Sequence, residues 1–190
     1  GDDYYISNAS GDIFLILSLI WQAGGTPFTM DGDTVKIDFS DENTQKALDF
    51  WQKMIDEDLI TNDIGNWSDD WNRALNDGTL ATQVIGGWMT ANLPPRAPDA
   101  AGNFRVAAMP QWNEGENYSA ENGGSTLAIL EASEKKEAAF KFVEYITHGD
   151  GVQPRVDSNA TVPNLSILEN EEYLAATDDY YGGQQVNQVI

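Results

Sequence analysis

The pattern of hydrophobic and polar positions predicts a series of helices along the chain. Residues 13–21 are almost wholly apolar and lie between Asp12 and the pair Gly24-Gly25, which predicts a helix with an acidic N-cap, a glycine C-cap and burial on most of its sides. Apolar residues at helical spacing and capping residues predict further helices over 41–58 after Ser40, 69–77 between Ser68 and Gly78, 134–147 after Ser133, 166–177, and from about Gln184.

Three of these helices carry an apolar stripe that predicts a core-facing side. Trp51 and Trp71 lie on such stripes, so we interpret both as core residues and not as platforms for a ligand. The helix predicted over 134–147 has an apolar face formed by Ala138, Ala139, Phe142, Val143 and Ile146. We expect that face to be buried.

Shorter apolar runs predict strands between the helices. Residues 34–39 alternate with a period of two after the turn Asp31-Gly32-Asp33, which is typical of a half-buried strand. Three other runs, 80–85, 104–109 and 126–130, predict strands, and the proline-rich residues 92–99 predict a loop. Because strands and helices alternate, the fold class is α/β with layered architecture.

Composition excludes several classes of function. Ten Lys and Arg against 31 Asp and Glu give a net charge of −21, which repels nucleic acid and anionic membranes. The chain has no cysteine and one histidine, His148, so a two-histidine metal site, cysteine-ligated zinc and thiol catalysis are excluded. We interpret His148 as a last-turn helix residue. The first residues lack a basic leader segment, and we expect a processed or excised chain.

Two glycine-rich segments are candidates for binding a ligand. Gly86-Gly87-Trp88 follows a predicted strand, so Trp88 is expected at the edge of the sheet, where its flat face suits the apolar face of a sugar ring. The alternative is that Trp88 covers the end of the sheet. The second segment is Glu121-Asn122-Gly123-Gly124, whose side chains can hydrogen-bond the hydroxyl groups of a ligand beside a bend in the chain. The alternative is that this sequence forms an ordinary turn. We assign no catalytic residue and no metal site, including at Asp31-Gly32-Asp33.

In their order along the chain, these motifs resemble the extracellular solute-binding proteins of carbohydrate ABC importers, which are relatives of maltose-binding protein. The resemblance covers nearly the whole chain. It rests on Gln22-Ala23-Gly24-Gly25 and on residues 47–51, 75–81, 86–88, 108–110, 123–129, 136–143, 162–163 and 181–184.

The resemblance implies a fold and a division of the chain. The fold is a periplasmic-binding-protein-like (type II) lobe, with a small mixed sheet flanked by helices. Residues 1–123 and 161–190 would form the second lobe, and 124–160 would cross a hinge toward a first lobe that is missing. The helix over 134–147 would then expose Phe142, Val143 and Ile146, and we expect it to pack elsewhere, on the second lobe or on another copy.

The resemblance also implies ligand-binding residues. Trp88, with Gly87 before it, matches the stacking aromatic of the family. Asp12 matches a residue that makes a polar contact with the ligand, and Phe14 matches an aromatic platform. The alternative is that Asp12 only caps the helix and Phe14 only packs in the core. By the same resemblance, Glu121 and Asn122 would lie near the floor of the ligand-binding cleft. Trp67 lies in a loop that differs among members of the family.

The function implied is non-catalytic capture of a sugar or oligosaccharide for import by an ABC transporter. The partners would be the sugar and the permease subunits in the membrane, with no nucleic acid and no cofactor. The location would be extracytoplasmic, as a cell-surface lipoprotein or in the periplasm. Two alternatives stay open: a fragment of a carbohydrate-active enzyme that uses two of the carboxylates, and the same fold binding a peptide or polyamine.

Overall fold

In the computed structural model of the protein, which describes residues 4–10 and 12–190, the chain divides into two compact units. One unit contains the chain up to Gly86 together with Met109–Gly123, and the other contains Gly87–Ala108 and Gly124–Ile190. The first unit holds β1 Ser7–Ser10, α1 Ile13–Gln22, β2 Phe28–Asp31, β3 Thr34–Ile37, α2 Glu42–Asp56, β4 Ile60–Gly65 and α3 Asp69–Asp77. The second holds α4 Met89–Arg96, α5 Lys136–His148, α6 Gln153–Asp157, α7 Leu165–Leu168 and α8 Glu171–Ala175.

The first unit has two small sheets of different type. β1 and β4 are parallel, with Ser7 opposite Ile60 and a register shift after Asn8. β2 and β3 form an antiparallel hairpin with Phe28 opposite Ile37. Because the parallel strands run in the same direction, the residues that follow β1 and those that follow β4 lie at the same edge of the sheet.

Local capping signals define the helices of the first unit. Asp12 caps α1 by accepting hydrogen bonds from the backbone N–H groups of Phe14 and Leu15 at 3.0 and 3.2 Å. Ser68 caps α3 through Trp71 N–H at 3.1 Å, and Gly78 ends it with a φ of +83°. These predictions are confirmed.

The cap predicted for α2 is wrong by one residue. Asp41, not Ser40, accepts the hydrogen bond from Thr44 N–H at 3.0 Å. The bonds from Thr44 also hold the pKa of Asp41 below its usual range. The Ser40 hydroxyl instead donates to Asp38 Oδ1 at 2.6 Å. Serine and aspartate are both good N-cap residues, and the one that directly precedes the first helical residue, Asp41, is the cap.

The core of the first unit forms where the helices cover the parallel strands. Trp51 and Trp71 are buried, as predicted, and the largest fully buried side chains there also include Ile20, Ile60, Leu75 and Leu80. At the end of α1, a Cβ on Gly25 would lie 2.5 Å from the hydroxyl oxygen of Thr44. Glycine therefore lets α1 approach the start of α2 closely.

Of two predictions of burial in the first unit, the one for residues 34–39 is wrong and the one for α1 is confirmed. The strand predicted over residues 34–39 forms as β3. It is not half-buried, however, because all residues of β3 and of its partner β2 are exposed. α1 is buried or half-buried at seven of its ten positions, as predicted, and its exposed residues are Ile13, Phe14 and Trp21, at 59%, 66% and 41%. Within the described residues, no other element covers these faces.

The three other predicted strands do not form strands in the described chain. Of residues 80–85, Leu80 makes one isolated parallel bridge with Tyr5. Residues 104–109 are extended beside Gln184, whose side chain exchanges hydrogen bonds of 2.8 and 2.7 Å with the backbone of Val106. Residues 126–130 have no strand partner among the described residues, and Leu127 and Leu130 are exposed. A strand needs a neighbour, which an apolar run alone does not supply.

The second unit corrects other predictions. The predicted loop 92–99 is mostly α4, with Pro94 and Pro95 inside the helix. The helix predicted over 166–177 is two short helices, α7 and α8, and the end of the chain forms a short 3-10 turn at Val186–Gln188.

α5 starts two residues later than predicted and has no buried residue. The hydroxyl of Ser133, its predicted cap, accepts from Lys135 N–H at 3.1 Å instead. Phe142 is 61% exposed and Val143 and Ile146 are only half-buried, so the prediction that this face is buried is wrong. The expected packing of this helix on the second lobe or on another copy stays a prediction. His148 ends the helix, as predicted.

We predict that Ser68→Ala lowers the free energy of unfolding by about 1 kcal/mol, because α3 loses its N-cap oxygen. Ser68→Asp keeps an acceptor at the same position and is the control, with stability close to that of the wild type. Urea unfolding followed by circular dichroism measures both. Equal stability of Ser68→Ala and the wild type would contradict the cap assignment.

Candidate functional site

The predicted residues of the first unit gather around the carboxyl edge of the parallel strands. β1 leads into Asp12 and Phe14, and β4 leads into Asn66 and Trp67. A hydrogen bond of 2.6 Å from Asn8 Nδ2 to Asn66 Oδ1 ties β1 to the residues that follow β4. Ligands of open α/β sheets bind at this edge, so the position fits a binding role.

Asp12 and Phe14 have different roles in the structure. The Oδ1 atom of Asp12 is used to cap α1, as the capping alternative stated. The ring of Phe14 is 66% exposed, so the alternative of core packing is wrong for this residue. An exposed aromatic ring in the first turn of a helix is available for stacking on a ligand.

Ser18 brings the segment of Glu121 next to the start of α1. Its hydroxyl lies within hydrogen-bond distance of the backbone carbonyl oxygens of Phe14 and Glu121. Ser18 itself is buried, while the side chain of Glu121 is exposed and that of Asn122 is half-buried. The structure therefore places Glu121 near Phe14, although more than a hundred residues separate them along the chain.

Trp67 has an unusual backbone conformation. Its φ is +68°, in the left-handed region that bulky residues seldom adopt. The ring centroid lies 5.1 Å from that of the buried Trp71, and Trp67 is 44% exposed. Such strain persists only where the surroundings fix it, and it is often found in binding loops.

In the second unit, Gly87 and Trp88 form the turn that starts α4. The backbone N–H and the hydroxyl of Thr90 both donate to the carbonyl of Gly87, at 3.2 and 2.9 Å. Asn92 Nδ2 donates to the carbonyl of Trp88 at 2.9 Å. Trp88 is half-buried, and the strand predicted just before it is absent from the described structure. A fixed backbone and a partly exposed indole suit a stacking residue.

Tyr181 stabilises α4 where its prolines interrupt the helical hydrogen bonds. Pro94 has no N–H to donate to the carbonyl of Thr90, four residues earlier. The hydroxyl of Tyr181 donates to that carbonyl at 3.0 Å, and the hydroxyl of Tyr180 donates to the carbonyl of Ala97 at 2.7 Å. These two tyrosines therefore position the helix that begins after Trp88.

Burial changes the ionisation of both tyrosines. It raises the pKa of Tyr180 to about 12 and raises the pKa of Tyr181 still further above its ordinary value, because the phenolate is disfavoured away from water. The neutral hydroxyl, which is the form that donates, is therefore retained above pH 10, where an exposed tyrosine ionises.

Sequence reasoning missed the residues that position the site. Ser18 and Gln22 are buried polar residues four positions apart on an otherwise apolar helix, and that spacing was a usable signal. Gln22 Nε2 donates to the carbonyl of Pro110 at 3.0 Å. Residues 181–184 match a motif of the family, but nothing local indicates the role of Tyr181, because its partner lies 91 residues away in the sequence.

Other features of the described residues do not point to chemistry. Residues 4–10 and 12–190 contain no cluster of three or more metal-ligating side chains. Within the same residues, no helix has the length and apolar character needed to cross a bilayer. Two shallow depressions of about 340 and 270 Å³ lie on α5 and beside α3, and their linings include no predicted site residue.

Sequence comparison finds similarity to known binding proteins. The profile of the family described as bacterial extracellular solute-binding protein matches residues 4–150. The lactose-binding protein of Rhizobium radiobacter is 28% identical over 174 residues, which are 90% of this chain and 40% of that protein. The arabinooligosaccharide-binding protein of Bacillus subtilis (strain 168) is 24% identical over 138 residues, or 72% of this chain and 31% of that protein.

Solved structures show the same fold. The ABC transporter associated binding protein from B. animalis subsp. lactis Bl-04, in complex with β-1,6-galactobiose, has a TM-score of 0.88 and 42% identity, covering 100% of this chain and 49% of that one. The galacto-N-biose-/lacto-N-biose I-binding protein from Bifidobacterium longum, in complex with lacto-N-biose, has a TM-score of 0.74 and 18% identity, covering 98% and 46%. The fold is therefore a periplasmic-binding-protein-like (type II) lobe, as predicted. The chain spans less than half the length of each of these proteins.

We predict that Tyr181→Phe lowers the free energy of unfolding by about 1 kcal/mol at neutral pH, because the carbonyl of Thr90 loses its donor. In the wild type, the raised tyrosine pKa values give stability that is complete below pH 10 and is lost as the pH rises toward 12. The variant should lose less stability over that range.

Urea unfolding at several pH values, together with tyrosinate absorbance, measures this difference. Tyr118→Phe is the matched control, because Tyr118 is 58% exposed. An alkaline loss of stability that is the same in Tyr181→Phe and the wild type would contradict the assigned role.

Proposed function

Because the chain belongs to the bacterial extracellular solute-binding proteins, we propose that it is part of a receptor that captures a sugar or oligosaccharide for import by an ABC transporter. The observation that carries the proposal is its similarity, along the whole chain, to a binding protein in complex with a disaccharide. The receptor works outside the cytoplasm, as a cell-surface lipoprotein or in the periplasm, and has no chemistry of its own.

The ligand class is a short neutral oligosaccharide that contains galactose. A β-1,6-galactobiose complex and a lactose-binding protein are both among the relatives, which supports this class. The net charge of −21 also disfavours an anionic ligand. Affinity for such a ligand comes from stacking on aromatic rings and from hydrogen bonds to hydroxyl groups.

Trp88 stacks on a sugar ring in this proposal. Gly87, Thr90 and Asn92 fix its backbone, so little freedom is lost when the indole binds. In the first unit, Phe14 is the second aromatic platform and Trp67 a third. The hydroxyl partners there are Asp12, Glu121 and Asn122.

The division of the chain into lobes is also part of the proposal. Residues 1–123 and 161–190 belong to the second lobe, and residues 124–160 cross toward the first. The exposed aromatic side chains of Phe142 and Tyr145, which lie three residues apart on one side of α5, support this assignment, because an apolar helix face is normally covered by another part of the protein.

We predict that Trp88→Ala weakens sugar binding by about thirtyfold, or about 2 kcal/mol, in the full-length parent protein. Calorimetric titration with galactobiose, lactose and arabinooligosaccharides measures the change. The control is Trp21→Ala, since Trp21 is another partly exposed tryptophan, 41% exposed, outside the proposed site. Trp21→Ala should bind like the wild type.

Other outcomes would decide against the proposal. Recovery of cleaved sugar after the titration would favour an enzyme. Binding of a polyamine or a peptide, with no sugar bound, would favour a different solute on the same fold. Wild-type affinity in Trp88→Ala would remove Trp88 from the site.

A further inference from the structure

Three amide side chains lie next to one another at the carboxyl edge of the parallel strands. Asn8 belongs to β1, and Asn66 directly follows β4. Gln83 follows the short segment that pairs with the start of β1 through the parallel bridge between Tyr5 and Leu80. All three amides therefore lie where parallel segments end, which is the edge at which open α/β sheets bind ligands.

Asn8 links the other two amides and is itself only 2% exposed. Its Nδ2 atom donates to Asn66 Oδ1 at 2.6 Å and to the carbonyl of Ile64 at 2.9 Å. Its Oδ1 atom accepts from Gln83 Nε2 at 2.9 Å. Both N–H groups and the oxygen of this buried amide are used, so its polar atoms are satisfied without water.

The backbone carbonyl of Ile64 sets the orientation of all three amides. A carbonyl oxygen can only accept, so the nitrogen of Asn8 faces it and the oxygen of Asn8 faces Gln83. Asn66 meets the second N–H of Asn8 and must turn its oxygen toward it, whereas Gln83 must turn its nitrogen toward Asn8. The two outer amides are thus held in opposite senses.

Asn66 and Gln83, here called the amide pair, each keep an unused polar atom. Both side chains are half-buried, and Asn66 Nδ2 and Gln83 Oε1 have no hydrogen-bond partner within residues 4–10 and 12–190. Neither atom belongs to the buried polar atoms of those residues that lack a partner, so both reach solvent. The amide pair therefore offers a free donor on Asn66 and a free acceptor on Gln83.

The chemistry of the amide pair matches that of a sugar. A hydroxyl group both donates and accepts, and an uncharged amide can bind it without requiring a charge on the ligand. Trp67 directly follows Asn66 and is 44% exposed, so an aromatic ring lies beside the free donor. Rings of this kind pack on the apolar face of a sugar while polar groups bind its edge.

We propose that the amide pair binds hydroxyl groups of the sugar, with Asn66 donating to one hydroxyl and Gln83 accepting from another. Asn8 is the positioning residue, because it holds both amides before the ligand arrives and so lowers the entropy lost on binding. This inference rests on the proposed function. It adds two ligand-binding residues and one positioning residue to the site.

The test measures sugar binding by calorimetry in the full-length parent protein, with β-1,6-galactobiose and lactose. Asn66→Ala and Gln83→Ala should each weaken binding about tenfold, because each removes one hydrogen bond to the ligand. The control is Asn62→Ala, since Asn62 is an exposed asparagine of β4, and this variant should bind like the wild type. Trp88→Ala is measured in parallel.

Monodeoxy derivatives of the same disaccharides separate a direct contact from a structural effect. One derivative lacks the hydroxyl that Asn66 contacts, and it should bind Asn66→Ala and the wild type equally. A different derivative should do the same for Gln83→Ala. A role in structure alone would weaken the binding of every derivative by the same factor.

The role of Asn8 has its own test. Asn8→Asp replaces the donors to Asn66 and Ile64 by an acceptor and should weaken sugar binding about tenfold. In a protein that already carries Asn66→Ala and Gln83→Ala, the same substitution should change the affinity little, because Asn8 acts through the amide pair. An equal loss in both backgrounds would contradict this role.

Each remaining outcome overturns the proposal. Wild-type affinity in Asn66→Ala and Gln83→Ala, with weakened binding in Trp88→Ala, removes the amide pair and leaves the proposed function intact. An equal loss for all monodeoxy derivatives assigns the two amides to holding the strand ends. A wild type that binds neither disaccharide removes the proposed ligand class and the amide pair together.

Discussion

Two buried polar side chains on α1, Ser18 and Gln22, hold the return segment Met109–Gly123 in the first unit. They contact the backbone carbonyls of Glu121 and Pro110. The described segment has no helix or strand of its own, so several of its backbone polar groups take side chains as partners. Because Ser18 and Gln22 lie four residues apart on an otherwise apolar helix, both contacts fall on the same side of α1.

Aromatic contacts complete the attachment of the return segment. Trp112 meets Phe50 of α2 edge to face at 5.4 Å, and the ammonium group of Lys46 lies 4.4 Å from the centre of the Trp112 ring. Gln111 exchanges hydrogen bonds with the backbone of Tyr118, as a neighbouring strand would. The position of Glu121 near Phe14 follows from these contacts and from Ser18.

The second unit uses the same physical device around Trp88. Pro94 leaves the carbonyl of Thr90 without its helical donor, and Tyr181 supplies one from a distant part of the chain. Gln184 does the same for the extended backbone at Val106. In both units, side chains that satisfy backbone groups at long range position the loops that carry the proposed ligand contacts.

The dependence of the loops on long-range side-chain contacts explains which features could be predicted from the sequence. Helices with local caps, such as α1 after Asp12 and α3 between Ser68 and Gly78, were predicted close to their bounds, because the cap and the helix are neighbours in sequence. The strand predicted over 80–85 failed because pairing depends on distant residues. The exposed ring of Phe14 is consistent with the resemblance, whereas the role of Tyr181 could not be predicted because its partner is not local.

The central claim is that this chain contributes a stacking tryptophan to a sugar receptor. A crystal structure of the full-length parent protein with bound galactobiose tests it most directly. The account predicts a sugar ring parallel to the indole of Trp88 and in van der Waals contact with it. A sugar bound away from Trp88, with the indole packed against protein, would contradict the account.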